Sequence, residues 1–339
     1  MTANSQTAPA VERPAPALPA KIFITGANGF IGRALAERAR ELGTEVTGVD
    51  LLPDADAGIL GGSISDPSEW AAALDGVDAV IHTAAIVSNS APLDDAWEVN
   101  TYSTRKVLAA AAEAGVGRFV HLSSVAAYGF DYPDQVDEKY PVRVNGYSYT
   151  DTKVNAEAVV MTAHAAGEID CTVIRPGDVY GPASKPWVIT SLEMIRAGQM
   201  VLPNGGRGTF TPVYIDTLVD GILLATASEA GAGQVFNLTD GHGVTCAEYF
   251  GRLGDMIDAS VRTLPTSLAV ALAGAVGTVQ RRLGQASELT PATVHMLNRP
   301  GEYSIEKART MLGYAPAISL DEGMRRTQEW AQREGLLTR

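Results

Sequence analysis

The chain has 339 residues, 46% of them hydrophobic, enough to bury a large core in one big domain or two unequal ones. A formal net charge of −13 excludes nucleic acid as a partner, because neutralising phosphates takes clustered Lys and Arg. Two cysteines, Cys171 and Cys246, stand outside any Cys-x-x-Cys pair; they leave no disulfide framework and point to a reducing, cytoplasmic setting.

Residues 1–20 carry four prolines among alanines and no continuous apolar core, so they read as a disordered leader rather than a signal peptide. Lys21-Ile-Phe-Ile-Thr25 follows as a short apolar strand and runs into Gly26, Gly29 and Gly32. That spacing gives a tight turn, backbone N–H groups close to a pyrophosphate, and close helix-on-strand packing. Asn28, Phe30 and Ile31 complete the turn, and the helix from about Phe30 to Leu42 aims its positive end at the phosphates. A second strand, Glu45–Asp50, ends on a carboxylate 18 residues beyond Gly32, where dinucleotide-binding units hold the adenosine ribose. Asp50 would repel a 2′-phosphate and Leu51-Leu52-Pro53 offers no arginine to hold one, which favours NAD over NADP.

Asp66, Pro67 and Glu69 make a capping box for a helix ending near Gly76. Val77–His82 is the next buried strand, with Thr83, Ala84 and Ala85 at its carboxyl end, where ligands approach an open parallel sheet. Asp94 to Ala114 reads as one long alanine-rich helix, Arg118 to Ser124 as a strand, Tyr147 to Ala166 as a helix, and Cys171 to Pro176 as a strand. Strands alternating with helices at this spacing give an α/β fold, a Rossmann-type doubly wound parallel sheet.

After Gly181-Pro182 the alternation loosens: a helix over Trp187–Ala197, a strand over Thr209–Ile215, a helix over Asp216–Ala227 and a strand over Gln234–Leu238. Thr245 with Glu248, and Ser319 with Glu322, open late helices. The division is a cofactor-binding domain over 21–182 and a smaller substrate-binding lobe over 183–339, with the chain crossing between them. Thr263 to Gln280 carries no charge and reads as a helix buried in the lobe or at a subunit contact. The sharper alternatives for it are a surface for an apolar substrate and a membrane contact.

Three Tyr-x-x-x-Lys pairs occur: Tyr102 with Lys106, Tyr149 with Lys153, and Tyr303 with Lys307. Four residues apart on a helix, such a pair shares a face with Cβ atoms roughly 5–6 Å apart. A neighbouring ammonium would favour the phenolate of a tyrosine whose free pKa is about 10, making it a usable base. Only Tyr149 follows a strand ending in Ser123-Ser124, at the carboxyl end of the sheet. Ser124 can orient a substrate oxygen toward it, while Ser123 reads as a solvated turn residue. The five histidines show no metal-ligand spacing, so no catalytic metal is expected, and His82 and His121 read as core residues with satisfied ring nitrogens.

Thr25-Gly-Ala-Asn-Gly-Phe-Ile-Gly32, Asp50, His82-Thr-Ala-Ala85, Asn100, Ser123-Ser-x-x-x-Tyr-Gly129, Tyr149-x-x-x-Lys153 and Arg175-Pro-Gly-Asp-Val-Tyr-Gly-Pro182 together resemble the extended short-chain dehydrogenase/reductase family. The resemblance implies that Tyr149 exchanges a proton with the substrate oxygen, that Lys153 also binds the nicotinamide ribose, and that Ser124 orients the reacting oxygen. It also implies that Asn100, Pro176, Gly177 and Val179 line the nicotinamide side. Family members commonly carry a Gly-Asp pair after the third strand for the adenine amino group. This chain has Gly62-Ser63 followed by Ile64, and a neutral hydroxyl is a weaker acceptor there.

The carboxyl-terminal half, through Pro265–Ala273, Leu289–Val294 and Tyr303–Pro316, is similar to the 3β-hydroxysteroid dehydrogenase branch, although sugar-nucleotide epimerases share the Lys-Ala-x-x-x-Leu-Gly-Tyr ending. Scattered arginines, Arg196, Arg207 and Arg262, beside an apolar segment favour a hydrophobic substrate over a nucleotide-sugar, with Arg207 the candidate phosphate contact for the latter. The expected activity is NAD-dependent hydride transfer to or from a sterol-like secondary alcohol or ketone. A NAD-retaining epimerase or dehydratase and a non-catalytic dinucleotide sensor are the alternatives. The resemblance also implies a homodimer.

Overall fold

The computed structural model describes residues 13–282 and 290–337. Six parallel strands, β1 (Lys21–Thr25), β2 (Glu45–Asp50), β3 (Ile59–Gly61), β4 (Ala79–His82), β5 (Arg118–Leu122) and β6 (Asp170–Pro176), join a seventh, Gln234–Leu238. Their order across the sheet is Gln234–Leu238, β6, β5, β4, β1, β2, β3. The direction of winding reverses between β1 and β4, and the crevice at their carboxyl ends is where such sheets admit a ligand.

Side chains alternate across each strand, so the two faces acquire separate cores. Ile22 and Ile24 face α1 (Phe30–Glu41) and the helix Ile215–Ala227, where Leu35, Ala36, Leu218 and Ile222 are buried. Phe23, Val80, Phe119 and Val173 face the other way and pack with Val107 and Leu108 of α3 (Ser103–Glu113) and Val160 of α4 (Ser148–Ala165). The helix Ile215–Ala227 and the seventh strand return from the second half to complete the sheet. The rest of that half, together with the short strand Asp178–Tyr180, forms three two-stranded pairings and six α-helices among the described residues.

Several expectations are corrected. The leader does not remain free over its last eight residues: Arg13 Nε donates to Asp220 Oδ2 at 2.7 Å and Arg38 Nη2 donates to the Pro14 carbonyl at 3.0 Å. Residues 1–12 lie outside the described residues. The helix from Asp66 to Gly76 is two 3₁₀ turns, Pro67–Glu69 and Ala71–Leu74. Asp66 does cap Ser68, but Glu69 accepts from Ser63 N at 3.2 Å instead of closing a box. The helix expected over Asp94–Ala114 is present as one continuous helical run, α2 (Leu93–Trp97), a π-helical turn over Glu98–Tyr102, and α3. The strand over Thr209–Ile215 splits at Thr211 into Thr209–Phe210 and Pro212–Tyr214. The charge-free stretch forms a helix, Thr266–Arg282, that is buried on one side only. Ala269 and Ala273 are covered, whereas Leu268 and Leu272 are 52% and 43% exposed. No helix among the described residues is long and apolar enough to cross a membrane.

Candidate active site

The glycine turn sits at the reversal point. Gly26 N donates to the Val49 carbonyl at 2.9 Å and adopts φ +70°, a conformation that favours glycine. A Cβ there would lie 2.8 Å from both Ala84 N and Thr83 Oγ1, and one on Gly32 would lie 2.2 Å from the Gly26 carbonyl. Gly29 precedes α1, whose amino end has no side-chain cap and no acidic residue in its first turn, so the Phe30 and Ile31 amides remain open to a phosphate. Replacing Gly32 by Ala is therefore expected to abolish dinucleotide binding, measured by NADH fluorescence titration; unchanged affinity would show that the turn tolerates a displaced helix.

Asp50 reaches back to this turn. Its Oδ2 accepts from Asn28 N at 3.0 Å and its Oδ1 from Leu52 N at 3.2 Å, while Asn28 Nδ2 holds the Leu52 carbonyl. Asn28 Oδ1 is buried with no partner among the described residues. Ser63 Oγ accepts from Ser65 N, and the Glu69 carboxylate lies against the Ser63 amide. The missing Gly-Asp carboxylate thus has an acidic neighbour supplied six residues later, which sequence reading assigned to a cap. Ile64 is buried beside Trp70, whose ring stacks on Phe23 at 5.4 Å. A cradle that any Cβ would fill, an uncapped helix end and a carboxylate over the turn fit NAD.

On the other side of the reversal point, Thr83 Oγ1 donates to the Thr25 carbonyl at 2.8 Å, and Ala84 and Ala85 continue half-buried into the crevice. Asn100 occupies the π-helical turn, a local widening often found where a side chain must be aimed. Its Oδ1 accepts from Ile86 N at 2.8 Å, and its Nδ2 donates to the Ile86 carbonyl and to Thr152 Oγ1, both at 3.0 Å. Asn100 therefore ties the loop after Ala85 to α4. Pro176 ends β6; Gly177 lacks room for a Cβ, which would meet the Thr211 carbonyl at 2.5 Å; and Val179 is half-buried.

Tyr149 lies in the first turn of α4, half-buried, and near enough to Ser124 for that hydroxyl to favour its phenolate. Ser124 also caps the following 3₁₀ turn, accepting from Ala126 N at 3.1 Å, so its hydroxyl is held in place. Burial raises the phenol above its ordinary value of 10.0; the Ser124 hydrogen bond works against this, and the charge of Asp178 adds to it.

Lys153, one turn further along the same helix, is buried, and its ammonium donates to the Leu122 carbonyl at 2.7 Å. Burial lowers Lys153 to about 8, with the Glu157 charge opposing the fall.

A buried network missed by sequence reading lies beneath. Arg175 Nη2 and Nε donate to Glu157 at 2.6 and 2.9 Å, and Ser123, buried rather than solvated, donates to Glu157 Oε1 at 2.5 Å. The Arg175 guanidinium lies 4.6 Å from the centre of the Tyr128 ring, and Tyr128 donates to Asn237 Oδ1. His82 has both ring nitrogens satisfied, by Thr25 and Thr104, and burial holds it neutral at about 3. His121, stacked on it at 5.5 Å, has neither ring nitrogen partnered among the described residues, which corrects the expectation for it.

The two other Tyr-x-x-x-Lys pairs are elsewhere. Tyr102 is 56% exposed, with Lys106 on Glu98, and Tyr303 is buried among Tyr128 and Tyr132 while Lys307 holds the Val235 carbonyl. Arg207 lies exposed on a turn with Asn204, and Arg196 donates to the Leu336 carbonyl. No group of three or more His, Cys, Asp or Glu that could hold a metal occurs among the described residues.

Comparison with known proteins fits this geometry. The model of the NAD dependent epimerase/dehydratase family matches residues 22–239. A Mycolicibacterium smegmatis UDP-glucose 4-epimerase is 31% identical over 91% of this chain and 98% of its own. The 4-hydroxy-2-methyl-3-oxo-4-farnesyl-3,4-dihydroquinoline-1-oxide ketoreductase of Stigmatella aurantiaca is 29% identical over 90% and 94%. Isoform 1 of the Arabidopsis thaliana 3beta-hydroxysteroid-dehydrogenase/decarboxylase is 27% identical over 90% and 78%. In structure, a short-chain dehydrogenase/reductase superfamily protein of Agrobacterium tumefaciens with bound NAD superposes with a TM-score of 0.73 at 23% identity, over 93% and 98% of the two chains.

Proposed function

Since the chain belongs to the NAD-dependent epimerase/dehydratase family, we propose that it is a dehydrogenase/reductase that interconverts a secondary alcohol and a ketone on a hydrophobic, sterol-like or isoprenoid substrate. The cofactor is NAD, and when bound it supplies the hydride acceptor or donor. Gly26, Gly29, Gly32 and the open amides of α1 would hold its pyrophosphate, Asp50 its adenosine ribose, and Ser63 with Ile64 its adenine. Thr83, Ala84, Ala85, Asn100, Lys153, Pro176, Gly177 and Val179 would line its nicotinamide end.

One observation carries the reading: a phenol at the start of α4 lies near a serine just past the carboxyl end of β5, itself fixed by Ala126 N, and burial raises that phenol above its ordinary value so that it keeps its proton at neutral pH. In that form Tyr149 donates its proton to a ketone oxygen as the carbonyl becomes an alkoxide. Ser124 holds that oxygen in line. In the reverse direction Tyr149 must first lose its proton, so alcohol oxidation should require higher pH than ketone reduction. Lys153 shares the helix face with Tyr149 and is anchored on β5, which keeps its positive charge at the floor of the crevice.

The hydrophobic substrate is supported by the activities of the farnesyl-quinoline ketoreductase and the hydroxysteroid relative, and by the apolar ridge of Leu268 and Leu272 on Thr266–Arg282. The second reading, an NAD-retaining nucleotide-sugar epimerase, is favoured by the UDP-glucose 4-epimerase at 31% identity. The deciding experiment is to follow NADH at 340 nm with hydrophobic ketones at neutral pH and hydroxysteroids at alkaline pH, with UDP-sugars as the comparison. Stoichiometric NADH turnover with the first group is the expected result. Conversion of a UDP-sugar with no net change in NADH would replace the first reading by the second. A homodimer through the surface that Trp97 of α2 and exposed Tyr102 of the π-helical turn share with Arg105 of α3 and Ala158 of α4 belongs to the same reading.

A further inference from the structure

Between Asp258 and Glu288 the chain has no acidic residue and three arginines, Arg262, Arg281 and Arg282, in a protein whose formal net charge is −13. Most of that stretch is the 17-residue helix Thr266–Arg282, and Arg262 is exposed on the short strand Arg262–Leu264 before it. One face of the helix is covered: Ala269 and Ala273 are buried against Val294 of the short helix Pro291–Met296. On the other face Leu268, Ala271, Leu272 and Ala275 follow the spacing i, i+3, i+4, i+7 and are all exposed, the two leucines by 52% and 43%.

A single exposed leucine needs no explanation, but a helix face that is apolar along its length does. A helix at a water-facing surface normally carries charge on its outer side, and this one has none from Thr263 to Gln280. The charge around the face selects what covers it. A second copy applied face to face would bring two sets of arginines together with no acid between them. An anionic lipid surface meets both features, since interfacial helices combine an apolar face with basic residues. The acidic remainder of the chain opposes such an approach only weakly, because salt screens charges beyond about 8 Å.

We propose that the helix Thr266–Arg282 is a docking face for an anionic phospholipid bilayer, with Leu268, Ala271, Leu272 and Ala275 entering the boundary between headgroups and acyl chains and Arg262 at the headgroup phosphates. The helix lies along the surface, being neither long nor apolar enough to cross it. Packed contacts connect this face to the reacting phenol. Val294 beneath the helix precedes His295, whose ring stacks on Phe130 at 5.8 Å, and Phe130 meets Tyr147, two residues before Tyr149, at 5.8 Å. Under the hydrophobic-substrate reading this contiguity gives the docking a use, since the substrate is dissolved in the lipid that the protein meets. The docking itself needs no substrate.

The test floats the full chain, loaded with NAD, on vesicles of phosphatidylcholine alone and of equal parts phosphatidylcholine and phosphatidylglycerol. The parent should bind the mixed vesicles at least about tenfold more tightly than the neutral ones, and added salt should remove the difference. Leu268→Gln with Leu272→Gln, which keeps helix propensity, should weaken binding to the mixed vesicles by about tenfold or more. Arg262→Gln should weaken it about fivefold. Met311→Gln, at an apolar site 38% exposed on another helix, is the control and should change nothing. NADH affinity reports folding, and Leu268→Gln alone serves if the double variant does not fold. A parent that binds neither vesicle, one that binds both equally, or a loss matched by Met311→Gln overturns the proposal. So does a parent that sediments as a dimer and binds no vesicle while the double variant is a monomer, which assigns the face to a second copy. Turnover of hydrophobic ketones is scored separately, without vesicles. Ketone reduction without vesicle binding overturns the docking alone, and vesicle binding without ketone reduction overturns the substrate reading alone.

Discussion

Replacing Tyr149 by Phe should lower ketone reduction by about 10²- to 10⁴-fold, the usual contribution of a positioned general acid, while NADH binding is unchanged. The ring fills the same volume, and the lost hydroxyl's named partner, Ser124, keeps its own bond to Ala126 N, so the fold should survive the change. The pH dependence in the parent enzyme follows from burial raising the phenol and Asp178 raising it further. Below that raised value the phenol is protonated, so the proton available for reduction is present throughout the neutral range. Oxidation needs the phenolate and should climb steadily toward alkaline pH. In the Phe variant both profiles should flatten. Full activity in Tyr149→Phe would remove the chemistry assigned to this residue.

The parts of this site that could be read in the sequence are those fixed by local geometry. Gly26, Gly29 and Gly32 need no distant partner to define a turn, and the strand-helix alternation follows from apolar periodicity within single elements. The reversal between β1 and β4 fits that alternation, but its location needs the pairing of Thr25 with His82, 57 residues apart. Asn100 was legible as a residue and not as a conformation: the alanine-rich pattern around it is continuous, and the π-helical turn answers to bonds with Ile86 and Thr152 that no helical period encodes. Spacing placed Lys153 on the face of Tyr149, but the Leu122 carbonyl decides where its ammonium lies. Arg299 donates to Asp178 across 121 residues of chain, and nothing in either segment announces the other. Local pattern could not find such a contact.

Replacing Lys153 by Met should abolish turnover and at the same time stabilise the protein near neutral pH. Burial displaces this amine from 10.5 to about 8, so the folded state disfavours the charged form relative to the unfolded chain. At 1.36 kcal/mol per pH unit, the charged amine costs the fold about 3 kcal/mol at pH 7. Loss of its hydrogen bond to the Leu122 carbonyl takes back about 1–2 kcal/mol. The net gain for Met, a flexible apolar side chain of similar length, is then about 1–2 kcal/mol, or a rise in Tm of several degrees for a chain of this size. The sign has a pH signature. Because the folded value lies below the unfolded one, the penalty is complete below about 8 and is relieved as pH rises from 8 toward 10.5, so the advantage of Met should be largest at pH 7 and shrink across that window. Equal melting temperatures at pH 7, or a difference that does not narrow by pH 10, would mean that the ammonium is not held against a desolvation cost. A stabilised but inactive variant would identify Lys153 as a charge retained at the expense of stability, as expected of a group kept for chemistry rather than packing.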